Sequence, residues 1–133
     1  MYKDLIGLPF REGGRNKYEG FDCWGLVLEV FRRHGIELPD YKIGCMEASK
    51  IDNAIEENRP QWVKCDPNDP PVPSLVVIRF NQGQLCNHTG VYIGNGQFIH
   101  TRDRIGVNID RVDNPAWRKR IEGFYIPGWV GNG

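Results

Sequence analysis

One stretch near the front of the chain has the spacing of an amphipathic helix. Its apolar side chains recur at the i, i+3, i+4, i+7 positions that share one helical face, and they are Trp24, Val27, Leu28 and Phe31. Asp22 stands just before the stretch as a candidate N-cap, and Gly35 follows it as a candidate terminator. The pattern therefore predicts a helix that begins at about residue 23 and ends before Gly35.

The second half of the chain reads as strands. Residues 75–80 form an apolar, largely β-branched run in which Arg79 is the one charged residue, and such a run is typical of a central strand. Residues 89–93 and 97–101 are two further strands, and Gly94-Asn95-Gly96 between them is a strong hairpin signal. Shorter strands are predicted at 61–64, 105–109 and 121–126, and a helical turn is predicted at the Asn-Pro-Ala-Trp sequence that ends at residue 117.

The remaining segments complete an α+β domain. Residues 2–6 and 47–58 carry weaker helical patterns, and residues 66–73 contain four prolines that exclude helix and inner strand. A chain of 133 residues suits one domain. We therefore expect a single domain spanning 1–133, of α+β class, with N-terminal helices packed on an antiparallel sheet.

Composition narrows the choice of partners. Lys plus Arg and Asp plus Glu each total 17, so a net charge near zero gives no indication of nucleic acid binding. The sequence contains no apolar run of the roughly 20 residues that a membrane span needs, and its first residues lack a secretory signal pattern. The expected place of synthesis is therefore the cytoplasm.

Four cysteines, at positions 23, 45, 65 and 86, raise the question of disulfides and metals. Without a secretory signal, the reduced state is the expected one. The Cys-Asn-His sequence at 86–88 offers only two metal ligands, and no C-x-x-C pair occurs. We expect neither a metal nor an organic cofactor.

Three residues have the chemistry of a thiol enzyme. Cys23 falls in the first turn of the predicted helix, where unpaired N–H groups and the helix dipole favour a thiolate. His88 begins one strand, and His100 lies near the end of its hairpin partner. A cysteine nucleophile needs a base, and the base needs an orienting group. The alternatives are a buried structural cysteine and two ordinary packed or surface histidines.

The spacing of the two histidines sets a geometric condition. His88 and His100 differ by 12 positions, so in a regular hairpin they share a sheet face only if the loop has an odd number of residues. A three-residue Gly94-Asn95-Gly96 loop meets this condition. A two-residue Asn95-Gly96 turn meets it only if a bulge intervenes.

Two motifs carry a family resemblance. F-D-C-W-G-L-V, around Cys23, and N-H-T-G-V-Y-I-G-N-G-Q-F-I-H, which ends at His100, resemble the NlpC-type papain-like cysteine peptidases that cut peptidoglycan stem peptides. The similarity extends from Leu8-Pro9-Phe10 to the ending W-R-K-R-I-E-G-F-Y-I-P, and it is strongest to short members encoded among phage and prophage tail-assembly genes.

The resemblance implies a set of roles. Cys23 would be the nucleophile, His88 the base and His100 the orienting residue, acting on the bond between D-γ-glutamyl and the diamino acid, with phage tail proteins as further partners and incorporation into the virion as the destination. Arg11, Arg15 and Trp24 are the residues assigned to substrate binding. The alternatives are a structural tail-tip protein with little activity and another cell-wall amidase or acyltransferase.

Two positions depart from the family pattern. Phe10 stands where many members carry a tyrosine that faces the thiol, and Pro73-Ser74-Leu75 replaces the usual P-G-D opening of the central strand. The first change removes a hydroxyl from the expected site. The second changes the entry to the strand and leaves the three chemistry-bearing residues in place.

Overall fold

The computed structural model describes residues 2–40, 62–79 and 88–128. Among them the helices are α1, Cys23–Arg33, and α2, Pro115–Arg118. The strands are β1 (Arg15–Asn16), β2 (Gly20–Phe21), β3 (Trp62–Lys64), β4 (Ser74–Ile78), β5 (His88–Gly94), β6 (Gln97–Arg102), β7 (Gly106–Arg111) and β8 (Ile121–Pro127). The helix predicted at 47–58 lies outside the described residues.

Six strands form one antiparallel sheet in the order β3-β8-β4-β5-β6-β7. β4 lies between β8 and β5, and all of its residues are buried, which confirms the prediction of a central strand. β1 and β2 form a separate two-stranded ribbon before α1. The result is the α+β architecture that the sequence predicts, with α1 preceding the sheet.

The α1 helix begins and ends where the sequence predicts. Asp22 has an extended backbone, and its side chain accepts a hydrogen bond from the Gly25 N–H, so it is the N-cap. His34 is the C-cap, and Gly35 follows it with φ of +78°, the left-handed conformation that ends many helices at glycine.

Alternating side chains give the sheet two apolar faces. The cluster that includes the buried face of α1 contains sheet residues Leu75, Val77, Val91, Ile99 and Val107. A second cluster, on the other side of the same strands, contains Val76, Ile78, Phe98, Trp117 and Phe124. Because both faces are covered, the inner strands have to be apolar on both sides, which explains the continuous run in β4.

Two N-terminal segments differ from the expectation. Residues 2–6 form successive turns rather than a helix, with hydrogen bonds from Leu5 N–H to Tyr2 C=O and from Leu8 N–H to Leu5 C=O. The turns stop at Gly7, whose φ of +88° is outside the right-handed helical region and whose N–H donates to the Val107 carbonyl. The predicted loop at 8–20 contains β1 and the first residue of β2, since its glycines allow a close approach of backbone to backbone.

The proline-rich connector has no helix or strand between Asp66 and Pro73, as predicted. Within the described part of the chain, no helix combines the length and the hydropathy required to cross a membrane.

Candidate active site

The start of α1 is held in place by the buried carboxylate of Asp22. Its Oδ1 accepts from the Gly25 N–H at 2.8 Å, and its Oδ2 accepts from the Gly13 N–H at 2.9 Å. The guanidinium of Arg15 approaches Oδ1 at 2.6 Å. One side chain thereby joins the glycine-rich loop, the β1 strand and the first turn of the helix, and it fixes the position of the next residue, Cys23.

Cys23 is the first residue of α1 and is 1 % exposed. It is disulfide-bonded in this structure, and its partner lies outside the described residues, whereas Cys65 is free. The expectation of a reduced Cys23 is therefore not what the structure shows. Since a disulfide sulfur is not a nucleophile, chemistry at Cys23 requires that this bond be reduced first.

A β-bulge places His88 and His100 on the same face of the sheet. Val91 pairs with Ile99, whereas Gly94 pairs with Gln97, so the register shifts by one residue just before the turn. The turn itself has the two residues Asn95 and Gly96, both with positive φ, as a type I′ hairpin requires. The second of the two geometries allowed by the sequence is therefore the one that occurs.

The two imidazoles are directly hydrogen-bonded, and the chain of bonds continues to a carboxylate. Nε2 of His88 lies 2.8 Å from Nδ1 of His100, and Nε2 of His100 lies 2.7 Å from Oδ2 of Asp110. Asn108 donates from Nδ2 to the same Asp110 oxygen at 2.9 Å. These contacts run diagonally across β5, β6 and β7.

Aromatic rings enclose this histidine pair. Trp117 of α2 lies nearly parallel to His88 at 6.3 Å between centroids and meets His100 edge-on at 4.8 Å. Phe98 approaches the His100 ring at 4.5 Å. The histidines therefore lie, buried, on the face of the second apolar cluster.

Burial lowers the pKa of both histidines. The pKa of His88 falls well below 6.5, chiefly because the charged ring would be desolvated, with repulsion from His100 and Arg102 as smaller causes. The pKa of His100 falls to about 4 through burial, although its hydrogen bond and charge interaction with Asp110 act in the opposite direction. Both rings are therefore neutral at pH 7.

Sequence reasoning missed Asp110, Asn108 and Trp117. A signal was available, because β6 and β7 are joined by the three residues 103–105, which places His100 opposite Asn108 and puts Asp110 on the same face. The parity rule that relates His88 to His100 across the first hairpin thus relates His100 to Asp110 across the second. Nothing in the sequence around Trp117 indicates contact with the histidines.

The residues assigned to substrate binding lie in different settings. Arg11 is exposed in the loop before β1. Arg15 bonds to Asp22 and, through Nε and Nη2, to Asp40, so its guanidinium has a role in holding the fold. Trp24 is 1 % exposed and donates its indole N–H to the Pro39 carbonyl, which places it in the core. Contact of any of the three with substrate stays a prediction.

Within residues 2–40, 62–79 and 88–128, no group of three or more histidine, cysteine or acidic side chains has an arrangement suited to a metal ion. Asp110 and the two histidines are joined in a linear chain of hydrogen bonds instead of converging on one point.

The comparisons with known proteins agree with this architecture. The sequence model described as the NlpC/P60 family matches residues 7–125. The chain is 31% identical over 121 residues to Murein DD-endopeptidase MepS/Murein LD-carboxypeptidase of Escherichia coli (strain K12), an alignment that covers 90% of this chain and 56% of that protein. It is 33% identical over 119 residues to the probable endopeptidase p60 of Listeria innocua, covering 90% and 22%.

Solved structures show the same fold. An NlpC/P60 family protein from Bacillus cereus ATCC 10987 superposes with a TM-score of 0.64 at 25% identity, over 93% of this chain and 39% of that one. The α+β domain described above is thus of the NlpC/P60 structural class, and the chain belongs to the NlpC/P60 family. It spans about half the length of the MepS protein and about a fifth of the length of p60.

Proposed function

We propose that this chain is a cysteine peptidase that cleaves peptidoglycan stem peptides, with Cys23 as nucleophile, His88 as general base and His100 as the orienting residue. The observation that carries the proposal is the buried hydrogen bond between His88 and His100, on strands that contact the helix beginning at Cys23. The family relatives named as murein and p60 endopeptidases support the reaction class.

In the proposed reaction His88 acts first as a general base and then as a general acid. His88 takes the proton of the Cys23 thiol, and the thiolate attacks the peptide carbonyl. The resulting imidazolium gives the proton to the leaving amine, so that the C–N bond breaks and an acyl-enzyme remains. Water, deprotonated by His88, then attacks the thioester and releases Cys23. His100 holds the ring of His88 in position throughout.

The helix start supplies electrostatic help. Cys23 is residue N1 of α1, where the backbone N–H groups have no partner within the helix and the dipole is positive. Both effects favour the thiolate over the thiol. The N–H of Cys23 is also a candidate donor to the oxyanion that forms on the substrate carbonyl.

The positions of Cys23 and His88 in the fold limit how the thiol can reach the imidazole. Cys23 is the first residue of α1 and His88 the first of β5, so each lies at the end of its element. The histidine rings pack with Trp117 on one face of the sheet, and α1 covers the other face. The thiol therefore has to approach His88 around the end of β5, after the disulfide at Cys23 is reduced.

Two bonds of the stem peptide are candidates. The resemblance of the Cys23 and His88–His100 motifs to NlpC-type peptidases favours the bond between D-γ-glutamyl and the diamino acid. The name of the E. coli relative, a DD-endopeptidase, favours a bond between two D-centres. We propose the first and treat the second as the competing outcome of the experiment below.

We further propose that the protein acts as part of a phage or prophage tail, made in the cytoplasm and carried in the virion with other tail proteins. The support is the resemblance of residues 8–14, 21–25, 36–41 and 117–127 to short members encoded among tail-assembly genes. In this setting the enzyme would open the cell wall locally.

The experiment is digestion of defined stem peptides, both free and still attached to sugar, by the reduced protein, with mass spectrometry of the products. We expect cleavage at one peptide bond, and no cleavage by Cys23→Ala, which removes the sulfur and little volume. Cys65→Ala is the matched control, because Cys65 is a free cysteine outside the site. A product released by cutting an amide to sugar would indicate an amidase, and no product from any fragment would favour a structural tail protein.

A further inference from the structure

We infer that Asp110 is a positioning residue that fixes the proton on each imidazole and leaves Nδ1 of His88 as the basic nitrogen. The inference rests on the proposed function only where it assigns that nitrogen a role in catalysis. The hydrogen-bonded chain itself, from Asp110 through His100 to His88, is a property of the fold.

The argument starts at the carboxylate. An ionised carboxylate only accepts hydrogen bonds, so the 2.7 Å contact between Asp110 Oδ2 and His100 Nε2 requires a proton on that nitrogen. His100 is 0 % exposed and neutral at pH 7, since its pKa is about 4. A neutral imidazole carries one N–H only, so Nδ1 of His100 has a lone pair.

The proton position on His100 in turn determines the proton position on His88. Nδ1 of His100 accepts, so the 2.8 Å contact requires that Nε2 of His88 donate. The burial that lowers the pKa of His88 keeps this ring neutral as well. Its one proton is therefore on Nε2, and Nδ1 is left with the lone pair that can take a proton from a thiol.

Asp110 is itself held in place. Asn108, which lies directly opposite His100 in the β6–β7 register, donates to the same Oδ2 atom. The Asp110 side chain is 24% exposed, so one edge of the carboxylate remains near solvent while the bonded edge faces the buried ring. This differs from the ordinary surface pair between Arg111 and Asp113, in which both side chains are more than half exposed.

The opposite arrangement would block catalysis. If no acceptor stood at His100 Nε2, that ring could carry its proton on Nδ1 and donate to His88 Nε2. His88 would then hold its proton on Nδ1, the nitrogen that otherwise carries the lone pair. A wrong tautomer leaves the geometry intact and removes the base.

The first test reads the protons without any substrate. Long-range proton–nitrogen NMR spectra of ¹⁵N-histidine-labelled Cys23→Ala protein at pH 7 report which ring nitrogens are protonated, and this variant has no thiol proton to pass to His88. We expect Nε2–H and bare Nδ1 on both His88 and His100. In Asp110→Leu we expect part or all of the His100 proton on Nδ1. A proton on Nδ1 of His88 in the Cys23→Ala protein, which is the parent for this comparison, would overturn the inference.

The second test is kinetic and uses the reduced protein with its native Cys23. We expect kcat to fall by about 10- to 100-fold in Asp110→Leu. The decrease should be smaller in Asp110→Asn, because the amide oxygen can still accept a hydrogen bond from His100. KM should be nearly unchanged in both variants. Asp113→Asn is the matched control, because Asp113 bonds only to exposed Arg111 among the contacts described above, and it should behave as wild type.

The two tests separate the inference from the proposed function. If the wild-type protein cleaves no stem peptide, the proposed function fails, while the NMR result still decides the tautomers. If cleavage occurs and Asp110→Leu has wild-type kcat, or if its tautomers match the parent protein, the role of Asp110 is refuted and the peptidase stands. Should Asp110→Leu not fold, Asp110→Ala, which also lacks the acceptor, gives the same kcat and tautomer comparison.

Discussion

Nε2 of His88 and Nδ1 of His100 are 2.8 Å apart, although the two residues are 12 positions apart and belong to neighbouring strands joined by an irregular hairpin. Both rings are buried, so each nitrogen in this contact depends on the other for its hydrogen bond. The pair acts as one unit, and a change at either ring affects both.

The first prediction separates the two histidines by role. His88→Ala should reduce kcat/KM nearly as much as loss of Cys23, because base and nucleophile act together. His100→Asn should keep more activity than His100→Ala, since an amide oxygen can still accept from His88. Steady-state kinetics on a stem peptide checks this, with His34→Ala at the end of α1 as the control. Equal activity of His100→Ala and wild type would show that His100 has no orienting role.

The second prediction concerns stability and pH. The pKa values of His88 and His100 lie below the value of about 6.5 that histidine has in an unfolded chain, so the unfolded state binds more protons as the pH falls. The neutral histidine pair makes its full contribution to the free energy of unfolding above pH 6.5, and this contribution is lost as the pH falls toward 4. For His100 alone the free energy of unfolding should drop by on the order of 2 kcal/mol from pH 7 to 5.

Urea unfolding at pH 7, 6 and 5 measures this dependence. His100→Gln, which cannot titrate, should show a shallower loss of stability over the same range than wild type. An unfolding free energy that stays constant from pH 7 to 5 would contradict neutral, buried histidines in the folded state.

The third prediction concerns Gly25, the third residue of α1. A Cβ atom at this residue would lie 2.1 Å from the backbone oxygen of Gly14. Helix propensity alone predicts that Gly25→Ala stabilises the protein by about 1 kcal/mol, whereas the close approach of the glycine-rich loop predicts the opposite sign. Thermal or urea unfolding gives the sign, and we expect Gly25→Ala to be less stable than wild type.

The fourth prediction distinguishes the two loop arginines. Arg15→Ala removes the cationic partner of the buried Asp22 carboxylate, and we expect a loss of stability on the order of 2 kcal/mol. Arg11→Ala changes an exposed side chain and should leave stability unchanged while raising KM for a substrate that carries free carboxylates. Urea unfolding and steady-state kinetics of both variants check this. An unchanged KM in Arg11→Ala would remove this loop from the substrate groove.

The sequence predicts the elements of the sheet well because each has a local signal. The α1 helix has its 3.6-residue apolar spacing, its Asp22 cap and its Gly35 stop, and the hairpin has its Asn95-Gly96 turn. The short helix expected at 2–6 is wrong because Gly7 has φ of +88° and its N–H donates to the Val107 carbonyl, so the turns stop there. A local sequence pattern does not report this tertiary contact with β7.

The site is only partly visible in the sequence. Cys23, His88 and His100 stand out by residue type and position, but the bulge before Gly94 that aligns the histidines depends on the register of the whole hairpin. Asp110 could have been found from the parity of the β6–β7 hairpin, which puts it on the face of His100. Trp117 reaches the rings through tertiary packing of α2, and an aromatic residue at that position gives no separate signal. The disulfide at Cys23 is likewise a tertiary feature.

The central claim is that His88 activates Cys23, and the most direct test is the pH dependence of alkylation. After reduction, iodoacetamide labelling with peptide mapping should show Cys23 reacting at pH 5.5 to 6, below the ordinary thiol pKa of about 8.5. Cys65, whose pKa is raised by burial, is the internal reference and should react only at higher pH. In His88→Ala the Cys23 rate should move to the higher pH range. Equal rates at Cys23 and Cys65 across the pH range, or a Cys23 profile unchanged by His88→Ala, would contradict the account.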